Sequence, residues 1–147
     1  MGAIGGKVIH AVGKTCGGWG TKIHVVVDAL GYPLDLLITQ GQINDNVVAG
    51  ELIEEKVSEN VIADSAYDTN EIRRVIAAAN KTAVIPNQGR RIERFSYDKH
   101  LYKERHLIEC FFQKIKNWRR IATRYEKTID MFKGMVTIAC VLVWIMF

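Results

Sequence analysis

The spacing of apolar and polar positions changes several times along the 147 residues, and each change marks an element. Residues 22–27 are β-branched and apolar, residues 28–33 carry turn formers, and residues 34–39 resume an apolar run, so residues 21–39 read as a hairpin. Asp28 lies in its turn, which accounts for a carboxylate there. Over residues 44–58, Val47, Val48, Leu52, Ile53 and Val57 repeat on one side of a helix, with Asn44 or Asn46 as cap and Glu51 turned to water. A short buried strand over residues 61–63 then delivers Asp64 at its end. A helix follows from Thr69 to about Asn80, with Asp68 and Glu71 in capping-box spacing. Residues 82–86 form one more strand, stopped by Pro86. A polar, Arg-rich connection covers residues 87–100.

From Leu101 onward the period is helical. Leu101, Ile108, Phe111, Phe112 and Ile115 supply apolar contacts, while Tyr102, Arg105, Glu109 and Lys116 fall at offsets of three, four and seven and share one face. One carboxylate is thereby framed by a phenol and two cations. Taken alone, Arg105 and Glu109 are also an ordinary i, i+4 ion pair worth a few tenths of a kcal/mol. Arg119, Arg120 and Arg124 follow, interleaved with Trp118 and Tyr125. These cations suit phosphates and these rings suit exposed bases, or the rings anchor the turn before the last helix. Residues 134–147 are apolar apart from Thr137. As a helix they would rise only about 21 Å, short of a hydrocarbon core of roughly 30 Å, so the expectation is a buried closing helix and no membrane span.

Charge sharpens the division. Residues 86–127 hold 12 Lys or Arg against 5 Asp or Glu, whereas the rest of the chain holds 8 against 11. A basic stripe around a carboxylate fits a polyanion held against a metal site. Cys16, Cys110 and Cys140 are too scattered for zinc or a disulfide framework and read as reduced thiols of a cytoplasmic protein. The Gly-rich residues 1–20 are expected to be an irregular, flexible lead. Gly13-Lys14-Thr15 resembles the end of a phosphate-binding loop, but Val8 stands where the upstream glycine is required.

Tyr102-x2-Arg105-x3-Glu109-x6-Lys116 resembles the Tyr-Arg-Glu-Lys signature of bacterial insertion-sequence transposases of the DDE class, in the branch called IS families four and five. Ala63-Asp64-Ser65-Ala66-Tyr67-Asp68 is similar to the segment that carries that family's second catalytic Asp. The resemblance spans essentially the whole chain, as a single domain over residues 1–147. It implies an α/β, RNase-H-like mixed sheet with flanking helices. It also implies a two-magnesium site for cleavage and strand transfer of DNA, because two divalent ions about 3.5–4 Å apart need several hard anionic oxygens. On the resemblance Asp64 and Glu109 are catalytic metal ligands, Arg105 and Lys116 hold phosphate, and Tyr102 positions a backbone group. Arg119, Arg120 and Arg124 add DNA contacts.

Residues 1–27 contain no Asp or Glu, so the family's first catalytic Asp and its strand are expected to be missing. The reading is then an N-terminally truncated catalytic domain with two of three carboxylates, inactive or nearly so alone. Its expected partners are DNA at transposon ends and targets, and a second copy or an intact transposase. The alternative is a non-catalytic DNA-binding protein that uses the basic region.

Overall fold

A computed structural model describes residues 13–15, 18–54 and 58–146. The chain runs β1 (Gly13–Thr15), β2 (Gly18–Val27), β3 (Pro33–Gln40), α1 (Asp45–Glu54), β4 (Asn60–Ile62), α2 (Asn70–Ala78) and β5 (Thr82–Val84), then α3 (His106–Lys116), α4 (Arg119–Ala122) and α5 (Ile129–Met146). Single 3-10 turns at Ser65–Tyr67 and Leu101–Arg105 precede α2 and α3.

The expected hairpin is present and longer than predicted: β2 and β3 pair antiparallel from Thr21 opposite Gln40 to Val27 opposite Pro33. Its turn needs a left-handed residue, which Gly31 supplies at φ 85°. Asp28 binds the turn from within, its Oδ1 accepting the N–H groups of Leu30 and Tyr32 at 2.9 Å each. Most of residues 1–20, expected to be a flexible lead, lie outside the described residues. Within that stretch Gly13–Thr15 pairs antiparallel with Gly18–Gly20, so this part is ordered strand.

β4 and β5 pair in parallel, with α2 as the crossover. Among the described residues no strand bonds to both β2 and β4, so the single mixed sheet expected is seen as two sheets. Each sheet has its own core. Phe111, Ile115, Ile121, Phe132, Val136 and Val143 from α3, α4 and α5 pack on the apolar face of the β2–β3 hairpin. Ile72, Ile76 and Ile85 form the second core with Ala49 and Ile53 of α1 and with β4 and β5.

Several expectations change in detail. α1 buries Val48 and Leu52, but Val47 is exposed, and residues 55–57 at the expected end of this helix lie outside the described residues. Thr69, not Asp68, caps α2, its hydroxyl accepting the Ile72 N–H at 3.2 Å. The last helix begins at Ile129, five residues before the expected start, and at 18 residues it is long and apolar enough to cross a membrane by length and composition. One face of it, from Phe132 to Val143, is nevertheless core to the larger cluster.

Candidate functional site

Strand β4 ends two residues before Asp64, whose extended backbone turns the chain into the 3-10 turn. The Asp64 carboxylate accepts the Ala66 N–H at 2.7 Å. Asp64 thus caps that turn through Oδ1. Glu109 sits in the first turn of α3. Tyr102 and Arg105 lie on the preceding 3-10 turn, so the expected unbroken helix over residues 102–116 is α-helical only from His106. A 3-10 turn holds about three residues rather than 3.6, and Tyr102 stays beside Arg105, whose guanidinium lies 6.0 Å from its ring centroid. The same ring meets Tyr97 edge-on at 5.6 Å.

A cleft of about 920 Å³ opens between the two sheets. β2 and the start of the hairpin turn form one wall, β4 and Asp64 the other, and Arg105, Ile108, Glu109 and Phe112 face it from the helix side. Asp64 and Glu109, 45 positions apart in sequence, therefore border one cavity. Arg105 lies between them in charge terms. It donates to Glu109 Oε1 at 2.5 Å. Partial burial opposes its charge, but the Glu109 hydrogen bond, with the negative groups of Glu109, Tyr102 and Asp64, raises its pKa further above the ordinary arginine value. With 32% and 54% of the two side chains exposed, this pair contributes at most about 1 kcal/mol. An incoming phosphate or cation can separate it at small cost.

Asp28 borders the same cleft, yet its carboxylate is engaged in the hairpin turn. Among the described residues no three His, Cys, Asp or Glu side chains gather closely enough to hold a metal ion. Lys116 is exposed two turns along α3, its ammonium 6.0 Å from the Phe112 ring centroid, and Tyr102 and Lys116 do not line the cleft.

The cations after α3 divide by environment. Arg119 stacks over Tyr125 and bonds its hydroxyl at 3.1 Å, and Arg120, 66% exposed, pairs loosely with Glu126 at 3.5 Å. Arg124 is turned inward. It donates to Glu126 O at 2.9 Å, to Lys127 O at 3.3 Å and to Thr21 Oγ1 at 2.5 Å, and it covers the Phe132 ring. Its guanidinium thus ties the approach to α5 to the start of β2. Trp118 packs against the larger core, whereas Tyr125 is exposed.

The carboxylate that the sequence offered as a helix cap is instead the centre of a buried charge cluster. Asp68 is 3% exposed and accepts Arg73 Nε at 2.7 Å and the Gln88 N–H at 2.8 Å, with Arg91 at 3.3 Å. Burial alone would raise its pKa, but the Gln88 hydrogen bond, the Arg73 hydrogen bond and the two guanidinium charges outweigh it, and the net shift is downward. Arg73, on α2, is in this buried cluster. The available signal was the position of Asp68 beside two arginines of α2, yet its second cation comes from 23 residues away.

The profile of the family described as "Transposase DDE domain" matches residues 6–144. The chain is 46% identical over 127 residues to the "Putative transposase for insertion sequence element IS6501" of Brucella ovis, an alignment that covers 85% of this chain and 98% of that protein. It is 26% identical over 136 residues to the "Putative transposase for insertion sequence element IS402" of Burkholderia cepacia, covering 84% of this chain and 62% of that one. No solved structure matches.

Proposed function

The chain belongs to the transposase DDE domain family, and from that premise we propose that it is an RNase-H-like catalytic domain for DNA transposition whose metal-binding carboxylates are Asp64 and Glu109. The observation that supports this most is the cleft they share, which Arg105 also lines. Carboxylate oxygens are hard donors suited to magnesium, which commonly takes one or two protein carboxylates and completes its shell with water and phosphate oxygens. Two carboxylates lining one cleft are by their chemistry suited to one such ion, which Asp64 and Glu109 would hold. When bound, it would supply charge stabilisation at a DNA phosphodiester and a lowered pKa for an attacking hydroxyl.

The remaining roles follow from position. Release of Arg105 from Glu109 frees a guanidinium for bidentate contact with phosphate. Lys116, farther along the same helix, meets the backbone beyond the cleft. Arg119 and Arg120, both exposed, extend the DNA track. Arg124, with its donors engaged, supports the track by fixing the segment that carries them. Tyr102, on the turn before α3, positions a group of the DNA backbone. The partners are DNA at the element's ends and target, with a second copy or an intact transposase, and the setting is cytoplasmic.

A third carboxylate is the weak point. Residues 1–27 contain none, and Asp28 has its Oδ1 taken up by two N–H groups of its turn. The isolated chain is therefore expected to bind DNA and to cleave it at no more than background rate. The experiment is magnesium-dependent nicking of supercoiled plasmid by the purified chain, beside salt-dependent DNA binding. Nicking that Glu109→Ala abolishes would overturn the inactive reading, and Asp28→Asn would then ask whether Asp28 had been recruited. Absence of salt-dependent binding would overturn the DNA-acting reading. The exposed Arg119 and Arg120 also suit a second role, a binding subunit for an intact transposase; for that role Glu109→Ala leaves DNA affinity unchanged, whereas Arg119→Ala with Arg120→Ala lowers it.

A further inference from the structure

The Arg-rich connection between β5 and the 3-10 turn at Leu101–Arg105 is held in place far more firmly than a solvent loop requires. Asp68 takes the Gln88 N–H and both guanidinia. Arg91 returns to the Asp68 carbonyl at 3.0 Å and to the Asn70 side chain. Arg73 bonds Ile85 O at 3.1 Å. The Asn87 amide closes the base of the loop, donating to Phe95 O at 2.8 Å and accepting the Phe95 N–H at 2.9 Å. Arg73 and Arg91 then cover the Phe95 ring at 4.3 and 4.7 Å.

What the clamp leaves outside is as informative. Arg91 and Phe95 are drawn inward, while Arg90, Ile92, Glu93 and Arg94 are exposed, and Ile92 is 100% exposed. Neither Arg90 nor Arg94 has an ion-pair partner among the described residues. A single exposed isoleucine on a surface is unexceptional. Here it stands between the anchored residues Arg91 and Phe95, beside the exposed Glu93 and flanked by two cations that have no ion-pair partner among the described residues. The clamp is also built on the segment that carries Asp64, since Asp68 ends the 3-10 turn that Asp64 begins.

We propose that residues 87–95 form a rigid DNA-contacting finger, in which Arg90 and Arg94 grip phosphates and Ile92 is an apolar wedge against an unstacked base step of duplex DNA. This deepens the DNA-acting reading above and rests on it. Cations flanking an apolar side chain match the chemistry of a wedge: unstacking costs a few kcal/mol per step, offset by apolar and phosphate contacts. Asp68 is a positioning residue for the finger and touches no DNA itself.

The test uses short duplexes carrying 2-aminopurine beside a central mismatch or in a fully paired context, in EDTA, with the full chain. Wild type is expected to raise the 2-aminopurine fluorescence and to bind the mismatched duplex several-fold more tightly. Ile92→Ala should remove most of that signal and preference while leaving affinity for the paired duplex nearly unchanged. Arg90→Ala with Arg94→Ala should weaken binding to both duplexes and reduce the slope of log K against log salt by about 2, roughly 0.9 per lost phosphate contact. All three side chains are exposed, so an unchanged urea midpoint verifies the fold. Wild-type binding with an Ile92→Ala variant that keeps the fluorescence change and the preference overturns the finger and leaves the DNA-acting reading intact. Failure of wild type to bind either duplex overturns both.

Discussion

Asp68→Asn should be among the most damaging single-atom-scale changes in the molecule. The wild-type carboxylate balances two guanidinia whose side chains are only 11% and 12% exposed. Removing one partner of such a buried pair typically costs about 3–5 kcal/mol, because the remaining charge is left without compensation. Asparagine keeps one acceptor oxygen, so one of the bonds to Gln88 or Arg73 survives, worth about 1 kcal/mol net. Both cations also keep their contact with Phe95, and Arg73 keeps Ile85 O. The expected loss is therefore roughly 2–4 kcal/mol, a large part of the 5–15 kcal/mol typical of a domain. Urea unfolding monitored by Trp fluorescence reads it as a midpoint shift of about 1–2 M, given slopes of about 1–3 kcal/mol/M.

Two further readouts separate this cause from general damage. Amide exchange in residues 87–95 should accelerate in Asp68→Asn before it does in the larger core, because that loop depends on the carboxylate. The acid limb should change as well. The folded pKa of Asp68 is depressed, so its stabilisation is complete above the unfolded value near 4 and is lost as pH falls through the lower folded value. In Asp68→Asn that part of the acid dependence disappears. A loss below about 0.5 kcal/mol, or unaltered exchange across residues 87–95, would refute the reasoning.

Other predictions rest on single contacts. His24 is buried against Thr39 at 2.7 Å and desolvation lowers its pKa; the fold therefore loses stability as pH falls below 6.5 toward that lower value, and His24→Gln should flatten a urea-midpoint profile in that window. Gly31→Ala places a Cβ at φ 85° and should cost about 1 kcal/mol or more, seen as a fall in Tm of several degrees. Arg124→Ala should destabilise by about 1–3 kcal/mol through its lost bonds to Thr21 and Glu126, and Arg120→Ala, which removes the ion-pair partner of a Glu126 side chain only 6% exposed, should cost about 1–2 kcal/mol in the same urea assay and also weaken DNA binding.

Local periodicity carried much of the molecule. The β-branched runs flanking the residue 28–33 turn, the helical spacing of Ile72 and Ile76, and the apolar stripe of α3 each declare an element, because a period of two or 3.6 sends alternate side chains to one face. Asp28 as a turn former followed from the same short-range chemistry. The spacing of Tyr102, Arg105, Glu109 and Lys116 pointed to the family that the profile then matched.

Tertiary structure decided which charged groups serve the fold and which face solvent. Asp68 reads as a helix cap in sequence because its neighbours in the chain suggest one. Gln88 and Arg91, 20 and 23 residues on, make it the centre of a buried cluster and leave the cap to Thr69. Arg124 looks equivalent to Arg119 and Arg120 until Thr21, 103 residues away, takes its guanidinium. The meeting of Asp64 and Glu109 at one cleft is of the same kind. A sequence sets the chemistry and the local direction of a side chain, but its partners across more than a few turns exist only after the sheets and helices have packed, and those partners determine whether a charge is buried, paired or free to act.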